Sequence, residues 1–428
     1  TYPDQFAAIG PAAGWITFWS YGGAATFQNP NPLEAMLLRA TNVSDTLHLL
    51  PNYAQQGVFI LHGDADQTVP VKQARDMREK LSAFHRNLNW FEHPGGGHWY
   101  DSTPDPGSDC VDFAPMFDFF TRNRIPTTSE VKQLDFSTIS PEINATCHWA
   151  TIFAQLEPFK TSRIQLEISV ARRIVEGKTA NVRRLELDLA QMPAGDGTVN
   201  FNIDGTEVKD IPYPADGKLL LEKGTAWEVV KGWPTTDRSP SRNGAFKSAF
   251  NHGFVLVYGT SGTPEENAWS YARARYDAEQ WWYRGNGDVE IYSDQEYRSR
   301  TRADQSIILY GNSDTNRAFA ALLKDCPILI ERDQIKTPDE TWASDQMAIV
   351  LAYPKPGSTR AMVGVVGGTG MIGLRSTDRL GFFRAGVHYP DVFAYHADMQ
   401  AKGSSEIRLA GFFGNNWSFD DGEFAWKN

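Results

Sequence analysis

The sequence HGDADQTVP at residues 62–70, followed by PGGGHW at residues 94–99, is the part of the chain that decides its fold. The first motif follows a short apolar run typical of a buried strand at residues 58–61, and the second follows a run at residues 88–92 that also predicts a strand. Between these runs, residues 71–84 carry apolar side chains at helical spacing with charged side chains between them. This strand–helix–strand alternation predicts a parallel α/β sheet, with both motifs at the ends of its strands.

The sequence on the C-terminal side of these motifs predicts a second kind of structure. Residues 113–120 indicate a closing helix, and the composition changes at residues 125–128. From there the chain consists of short alternating runs separated by turn signals such as Asp204-Gly205, which favour antiparallel strands. We therefore expect a first domain over residues 1–125 and an antiparallel, β-sandwich-like domain over residues 126–235.

A third domain is predicted beyond the stretch 233–244, whose proline and glycine residues are typical of a linker. Apolar runs and helical patterns alternate again, which predicts a doubly wound, flavodoxin-like α/β domain over residues 245–428. Two segments resemble each other, because VYGTS at 257–261 and LYGNS at 309–313 both end a run with Tyr-Gly and are predicted to open a helix. The runs are residues 254–258, 307–310, 328–330, 348–352 and 362–366.

The candidate catalytic residues are Asp66 and His98. A strand end supplies a carboxylate and, about thirty residues later, a glycine-rich turn supplies an imidazole, which is the acid-then-base order of a triad in an open α/β sheet. Asp66 is predicted to hold one ring nitrogen of His98 and to stabilise the imidazolium. The nearby carboxylate of Asp64 is expected to cap the loop, and His62 is expected to be structural.

These motifs resemble those of the α/β-hydrolase superfamily, in particular prolyl oligopeptidase-like serine hydrolases and related esterases. The resemblance rests on HGDADQTVP, on GGGH and on YPDQFAAI at residues 2–9, and it covers roughly residues 1–124. It implies that Asp66 is the acid and His98 the base of a serine hydrolase that acts on a peptide or ester bond through an acyl-enzyme. It also implies that residues 1–125 are the C-terminal part of the catalytic domain.

The chain departs from this family at the nucleophile. In the family, the serine lies in a G-x-S-x-G elbow upstream of the segment that matches residues 2–9, so the sequence predicts no nucleophile within this chain. We expect the serine and the first strands of the sheet on an N-terminal segment or a companion chain. A catalytically incompetent accessory or binding fragment is the alternative.

Four residues within the chain could formally serve as nucleophiles, but the sequence favours none of them. Ser20 is followed by Gly22 and Gly23 but lacks the leading glycine of the elbow, since Phe18 occupies that place. Thr1 would need a free terminal amine as its base, and nothing else supports it. The remaining two, Ser261 and Ser313, are expected to cap helices.

A second alternative, a dinucleotide-dependent oxidoreductase, rests on GGTGMIG at residues 367–373. The motif follows an apolar run and resembles the phosphate-binding turn of dehydrogenases, with Asp398 as a candidate ribose-binding acid. Close packing of a helix on a strand explains the same glycines without a ligand. We therefore predict no cofactor.

Composition and charge argue against several other classes of function. The net charge of −11, from 41 basic and 52 acidic residues, argues against a nucleic-acid partner. No apolar run is long enough to span a bilayer. Three cysteines are too few for a disulfide framework, and the histidines lack metal-ligand spacing, so no metal site is predicted. Three sequons, at Asn42, Asn144 and Asn416, are the basis for expecting export, although chance alone explains such a number.

Overall fold

A computed structural model of the chain describes residues 1–22, 27–104, 106–193, 197–297 and 302–427. Within these ranges the chain forms seven α-helices and 24 strands. The helices are α1 (Pro32–Thr41), α2 (Lys72–Ser82), α3 (Ala114–Thr121), α4 (Pro264–Gly285), α5 (Phe319–Leu322), α6 (Gly370–Ser376) and α7 (Met399–Lys402). The strands are β1 (Ala8–Ile9), β2 (Gly57–Gly63), β3 (Leu88–His93), β4 (Gln133–Thr138), β5 (Thr146–Cys147), β6 (Ala150–Gln155), β7 (Ser162–Ser169), β8 (Ile174–Ala180), β9 (Val182–Asp188), β10 (Thr198–Ile203), β11 (Thr206–Pro212), β12 (Lys218–Lys223), β13 (Trp227–Val229), β14 (Phe254–Tyr258), β15 (Glu290–Ser293), β16 (Ser306–Gly311), β17 (Leu329–Ile330), β18 (Gln334–Lys336), β19 (Thr341–Ala343), β20 (Met347–Pro354), β21 (Met362–Gly368), β22 (Val392–His396), β23 (Ile407–Phe412) and β24 (Glu423–Trp426).

The chain divides into two compact units, and the structure is mixed α/β and rich in strands. Unit 1 contains residues 1–26 and 43–232, and unit 2 contains residues 27–42 and 233–428. The division differs from the sequence prediction in its first domain, because residues 27–42 belong to unit 2. The physical reason is that α1 packs on β23 and β24, where Leu33 joins the apolar core of that unit.

The candidate site of unit 1 lies on a three-stranded sheet of order β1-β2-β3, in which both strand pairs are parallel. Strand β2 is buried along its whole length because each face is covered by a helix. Val58 and Ile60 pack toward α2, and Phe59 and Leu61 pack toward α3. The continuous apolar run at residues 58–61 is therefore explained by burial on both faces.

The rest of unit 1 consists of two five-stranded sheets, of order β11-β10-β8-β7-β4 and β13-β12-β9-β6-β5, that share one apolar core. The predicted Asp-Gly hairpin joins β10 to β11, and Asp204 and Gly205 both have positive φ. One pair departs from the antiparallel prediction, because β8 and β10 are parallel. The intervening strand β9 belongs to the other sheet, so the chain returns to the first sheet in the same direction.

The two parts of unit 1 are joined by buried and partly buried hydrogen bonds. The side-chain amide of Asn52 donates to the carbonyl oxygen of Ser137 and accepts from the N–H of the same residue, both at 2.8 Å. Gln55 donates to the carbonyl oxygen of Asp135, also at 2.8 Å. These contacts hold the 3₁₀ segment that precedes β2 against strand β4.

Unit 2 is built on an eight-stranded sheet of order β15-β14-β16-β21-β20-β22-β23-β24, beside a small sheet of β17, β18 and β19. The predicted doubly wound sheet is parallel, whereas the observed sheet is mixed. The four strands from β15 to β21 are parallel, whereas β20, β22, β23 and β24 pair antiparallel with their neighbours. Only residues 355–361 join β20 to β21, and this is too short for a parallel crossover.

The stretch 233–244 is part of unit 2 rather than the predicted linker. The side chain of Arg238 is buried, and its guanidinium forms an ion pair with buried Asp391. It also donates to the carbonyl oxygens of Phe413 and Gly414. Proline and glycine in this stretch therefore mark an irregular but packed segment.

No helix in the described ranges is long and apolar enough to cross a membrane.

Candidate active site

Asp66 lies in the turn that follows β2, and its buried carboxylate has four polar neighbours. Oδ1 accepts the backbone N–H groups of Thr68 and Val69, each at 2.8 Å. Oδ2 lies 2.8 Å from Nδ1 of His98 and 3.3 Å from Nε2 of His62. The turn thus fixes the carboxylate through its own backbone and aims the second oxygen at His98.

His98 is carried by the glycine-rich loop that follows β3. Gly95 has a φ of 69°, a conformation that glycine adopts without strain. The N–H of this glycine donates to Oδ1 of Asp64 at 2.6 Å. Asp64 therefore caps the loop, as the sequence predicts, while Asp66 receives the imidazole.

The two loops are joined by backbone hydrogen bonds as well. The N–H of Asp64 donates to the carbonyl oxygen of His93 at 3.1 Å, and the N–H of Ala65 donates to the carbonyl oxygen of Gly96 at 2.9 Å. Because β2 and β3 are parallel neighbours, both loops leave the same edge of the sheet. The separation of Asp66 and His98 is therefore set by the backbone.

The surroundings of Asp66 favour its ionised form. Burial by itself raises the pKa of this carboxyl group, but the hydrogen bonds from His98, Val69 and Thr68 outweigh burial, and the pKa lies below its usual value. A carboxylate that stays ionised accepts the Nδ1 proton of His98. The opposite ring nitrogen, Nε2, then lies on the edge of the imidazole that faces away from Asp66.

His62 contacts Asp66 directly, which the sequence prediction of a structural histidine does not include. Its Nε2 lies 2.9 Å from the carbonyl oxygen of Val69 as well as 3.3 Å from Asp66. Its side chain is fully buried, and its Nδ1 has no hydrogen-bond partner among the described residues. The signal in the sequence is its position four residues before Asp66, at the end of a buried strand.

Trp99, the residue after His98, is exposed. Its side chain is 78% accessible, and its ring meets the imidazole of His98 edge to face at 4.8 Å between centroids. His98 itself is less accessible, at 18% of its side chain. Trp99 thus places an exposed aromatic side chain next to His98.

Within the described residues, neither Ser20 nor Thr1 of unit 1 hydrogen-bonds to His98. Ser20 hydrogen-bonds within its own turn to Thr17 and lies 2.9 Å from Oε1 of Gln73. Gly23, which completes the elbow-like motif, lies outside the described residues. Across the described ranges, Asp66 is the hydrogen-bond partner of His98. Thr1 lies near Asn144, whose side chain donates to its carbonyl oxygen.

Neither serine of unit 2 caps a helix, which corrects the sequence prediction. The N-cap of α4 is Thr263, two residues after Ser261. Ser313 lies in a turn rather than at the start of a helix, and α5 begins only at Phe319 and has four residues. The repeat of Tyr-Gly in the sequence therefore marks two strand ends of which only one leads into a long helix.

The glycines of residues 367–373 are required by close packing between backbones. A β-carbon on Gly367 would lie 2.1 Å from the carbonyl oxygen of Gly311, and one on Gly373 would lie 2.1 Å from the carbonyl oxygen of Met347. The N–H groups of Thr369 and Gly370 already donate to protein carbonyl oxygens, each at 2.8 Å. A phosphate-binding turn would need these N–H groups to donate to the phosphate, whereas here they donate to the protein.

Asp398 is held by neighbours on its own segment. Its carboxylate pairs with Lys402 at 2.7 Å and lies 3.7 Å from Nδ1 of His396. Antiparallel β20 separates the strand before Asp398 from β21. This differs from the adjacent parallel strand of a dinucleotide-binding fold. Within the described residues, no group of three or more His, Cys, Asp or Glu side chains is arranged to hold a metal ion.

Comparisons with known proteins give a distant relative and no family. No protein-family model matches the sequence. An "uncharacterized secreted protein" of Arthroderma benhamiae is 23% identical over 427 residues, which are 97% of this chain and 44% of that protein. The chain thus spans less than half the length of this curated relative. A solved structure of a PHB depolymerase complexed with an R3HB trimer shares 13% identity with 39% of this chain and 64% of its own, with a TM-score of 0.18. A score this low carries no argument about the fold.

Proposed function

We propose that this chain carries the acid and the base of a serine hydrolase, in which Asp66 orients His98. The observation that supports this function is the 2.8 Å hydrogen bond between Oδ2 of Asp66 and Nδ1 of His98, formed at the ends of two neighbouring parallel strands. A buried carboxylate that holds Nδ1 leaves Nε2 to exchange a proton with a nucleophile. The substrate class is a peptide or a carboxylic ester.

In the proposed reaction, Nε2 of His98 takes the proton of a serine hydroxyl while the serine oxygen attacks the carbonyl carbon. Asp66 stabilises the imidazolium that forms. The imidazolium then gives its proton to the leaving amine or alkoxide as the bond to the carbonyl carbon breaks, which leaves an acyl-enzyme. In the second half, water replaces the serine as the attacking group, and the same proton path returns the free serine and a carboxylic acid.

We place the nucleophilic serine on a polypeptide segment outside residues 1–428. Ser20 is held by Thr17 and Gln73 rather than by His98, and the curated relative is more than twice as long as the part that this chain matches. In this proposal the serine comes from an N-terminal segment, as the resemblance to prolyl oligopeptidase-like enzymes implies, or from a companion chain. The description of the relative as secreted supports export of the protein to the cell exterior.

Fluorophosphonate labelling of the unfractionated native protein, followed by mapping of the labelled peptide, tests this function. We expect the label on a serine of a longer or co-purifying N-terminal polypeptide. His98→Gln should abolish labelling, because the serine loses its base. Asp101→Asn should leave labelling unchanged, since this exposed carboxylate lies three residues after His98 and has no polar partner in the described part of the chain.

Two other outcomes would replace the proposal. A label on Ser20, Ser261 or Ser313 would place the nucleophile within this chain. No label on any polypeptide would favour the alternative of a catalytically incompetent accessory or binding fragment, in which Asp66 and His98 only stabilise the two loops.

A further inference from the structure

Unit 2 contains a cleft of about 570 Å³ between α4 and the segment around α6. This volume is within the range of about 300–1,000 Å³ that is usual for small-ligand sites. Its lining residues all belong to unit 2, whereas Asp66 and His98 belong to unit 1. Its lining residues are Glu265, Ala268, Trp269, Ala272, Arg273, Tyr276, Met371, Arg375 and Asp378.

The apolar part of the cleft is formed by small and aromatic side chains of α4. Ala268 and Ala272 lie one turn apart and leave space beside the helix. The ring of Tyr276, of which the side chain is 45% exposed, lies against the guanidinium of Arg273 at 5.6 Å from its centroid. The indole N–H of Trp269 donates to Oδ1 of Asp378 at 3.0 Å. Both aromatic side chains are thus held in place before any ligand arrives.

The polar part of the cleft contains two carboxylates and two guanidinium groups, so that its formal charges cancel. Arg273 is satisfied by the protein, because it pairs with Asp277 and donates to the carbonyl oxygens of Thr377 and Leu380. Arg375 and Glu265 are different, since neither side chain has a hydrogen-bond or ion-pair partner among the described residues. The cleft therefore offers free donors on one wall and free acceptors on the other.

From this lining we infer that the cleft binds a neutral saccharide. A sugar presents an apolar face of C–H groups that fits a tyrosine ring, whose face carries negative charge density. Its hydroxyl groups donate to carboxylates and accept from a guanidinium at the same time. An anionic ligand would meet Glu265 and Asp378, and a cationic ligand would meet Arg375, so the balanced charge favours an uncharged ligand.

The exposed face of α4 indicates a chain of sugars rather than a single ring. Tyr283 lies seven residues after Tyr276, on the same face of the helix, and its side chain is 74% exposed. Two helical turns separate the residues by about 10 Å along the axis. This spacing allows a further unit of the same sugar chain to contact Tyr283 while the first occupies the cleft.

Isothermal titration of the 428-residue chain with cellohexaose, xylohexaose, mannohexaose and maltohexaose tests the inference. We expect saturable binding of at least one of these neutral oligosaccharides. Tyr276→Ala and Arg375→Ala should each weaken that binding by about tenfold or more, because they remove the stacking face and the free donor. Tyr271→Ala is the matched control, since Tyr271 lies on the same helix with the same 45% exposure but does not line the cleft.

The inference is overturned if none of the four oligosaccharides binds, or if Tyr271→Ala weakens binding as much as Tyr276→Ala does. It is also overturned if glycyl-tyrosine, a zwitterion with an aromatic ring, binds more tightly than every oligosaccharide. Circular dichroism spectra that match the unsubstituted chain ensure that a loss of binding in the variants comes from the cleft and not from unfolding.

Discussion

A β-carbon added to Gly63 would lie 2.3 Å from the carbonyl oxygen of Gly96, so the loops that carry Asp66 and His98 meet backbone to backbone. The same carbonyl oxygen accepts the N–H of Ala65 at 2.9 Å. Only glycine at position 63 permits this approach. The geometry of the proposed acid–base pair therefore depends on a residue that has no side chain.

Gly63→Ala is expected to destabilise unit 1 by about 1–3 kcal/mol, because the new methyl group must displace the loop that carries His98. Urea denaturation followed by circular dichroism measures this free energy of unfolding. Gly97→Ala is the control, since a β-carbon at Gly97 meets no atom within 4 Å. Equal stability of the Gly63→Ala variant and the unsubstituted chain would contradict the observed contact.

Asp66→Asn is expected to lower the stability of unit 1 by about 1–3 kcal/mol at pH 7, because an amide cannot replace all the bonds of the carboxylate. The pKa of Asp66 lies below its ordinary value of 3.8, since the hydrogen bonds from His98, Val69 and Thr68 outweigh the effect of burial. Its contribution is therefore present above about pH 3.8 and is lost as the pH falls through the lowered pKa. Urea titrations at pH 7 and pH 3 should show a smaller difference between variant and unsubstituted chain at pH 3. A difference that grows in acid would contradict this.

His388 is expected to make unit 2 less stable in acid. Burial, together with the nearby charge of Lys247, lowers the pKa of His388 from 6.5 to about 3. Between these values the unfolded chain binds a proton that the folded chain does not, so stability falls as the pH drops, by at most about 1.4 kcal/mol per pH unit. His388→Gln should flatten this dependence in thermal denaturation between pH 6.5 and pH 4. An unchanged slope in His388→Gln would contradict the assignment.

Arg238→Met is expected to destabilise unit 2 by about 3–5 kcal/mol, because it leaves the buried carboxylate of Asp391 without its ion-pair partner. Both side chains are almost completely inaccessible to solvent. Lys402→Met removes the exposed pair with Asp398 and should cost less than about 1 kcal/mol. Chemical denaturation of both variants provides the comparison, and similar losses in the two would argue against a special role for the buried pair.

Much of the local structure near the candidate site was predictable from the sequence. The strands at residues 58–61 and 88–92 and the helix between them lie where apolar spacing indicates, within a few residues of their observed ends. Asp66 and His98 follow neighbouring strands, and parallel neighbours deliver their loops to one edge of a sheet. The proximity of these two side chains was therefore predictable from the order of strands and loops along the chain.

The sequence did not indicate the direction in which strands pair or the contacts between residues far apart in the chain. An apolar run indicates a buried strand but not its direction, so the antiparallel half of the sheet in unit 2 was missed. Proline and glycine in residues 233–244 suggested a linker, because nothing local shows that Arg238 finds Asp391 about 150 residues later. The sequence predicts only a structural role for His62, because its contact with Asp66 depends on how the turn after β2 folds back.

The sequence by itself determined which residues form strands and turns, because periodicity and turn chemistry act over a few residues. It also determined that a carboxylate and an imidazole end adjacent strands. The tertiary structure alone decided that residues 27–42 join unit 2, that a cleft opens beside Tyr276, and that Gly63 and Gly96 touch. These features depend on contacts between segments far apart in the chain, which burial and backbone hydrogen bonding select only once the chain is folded.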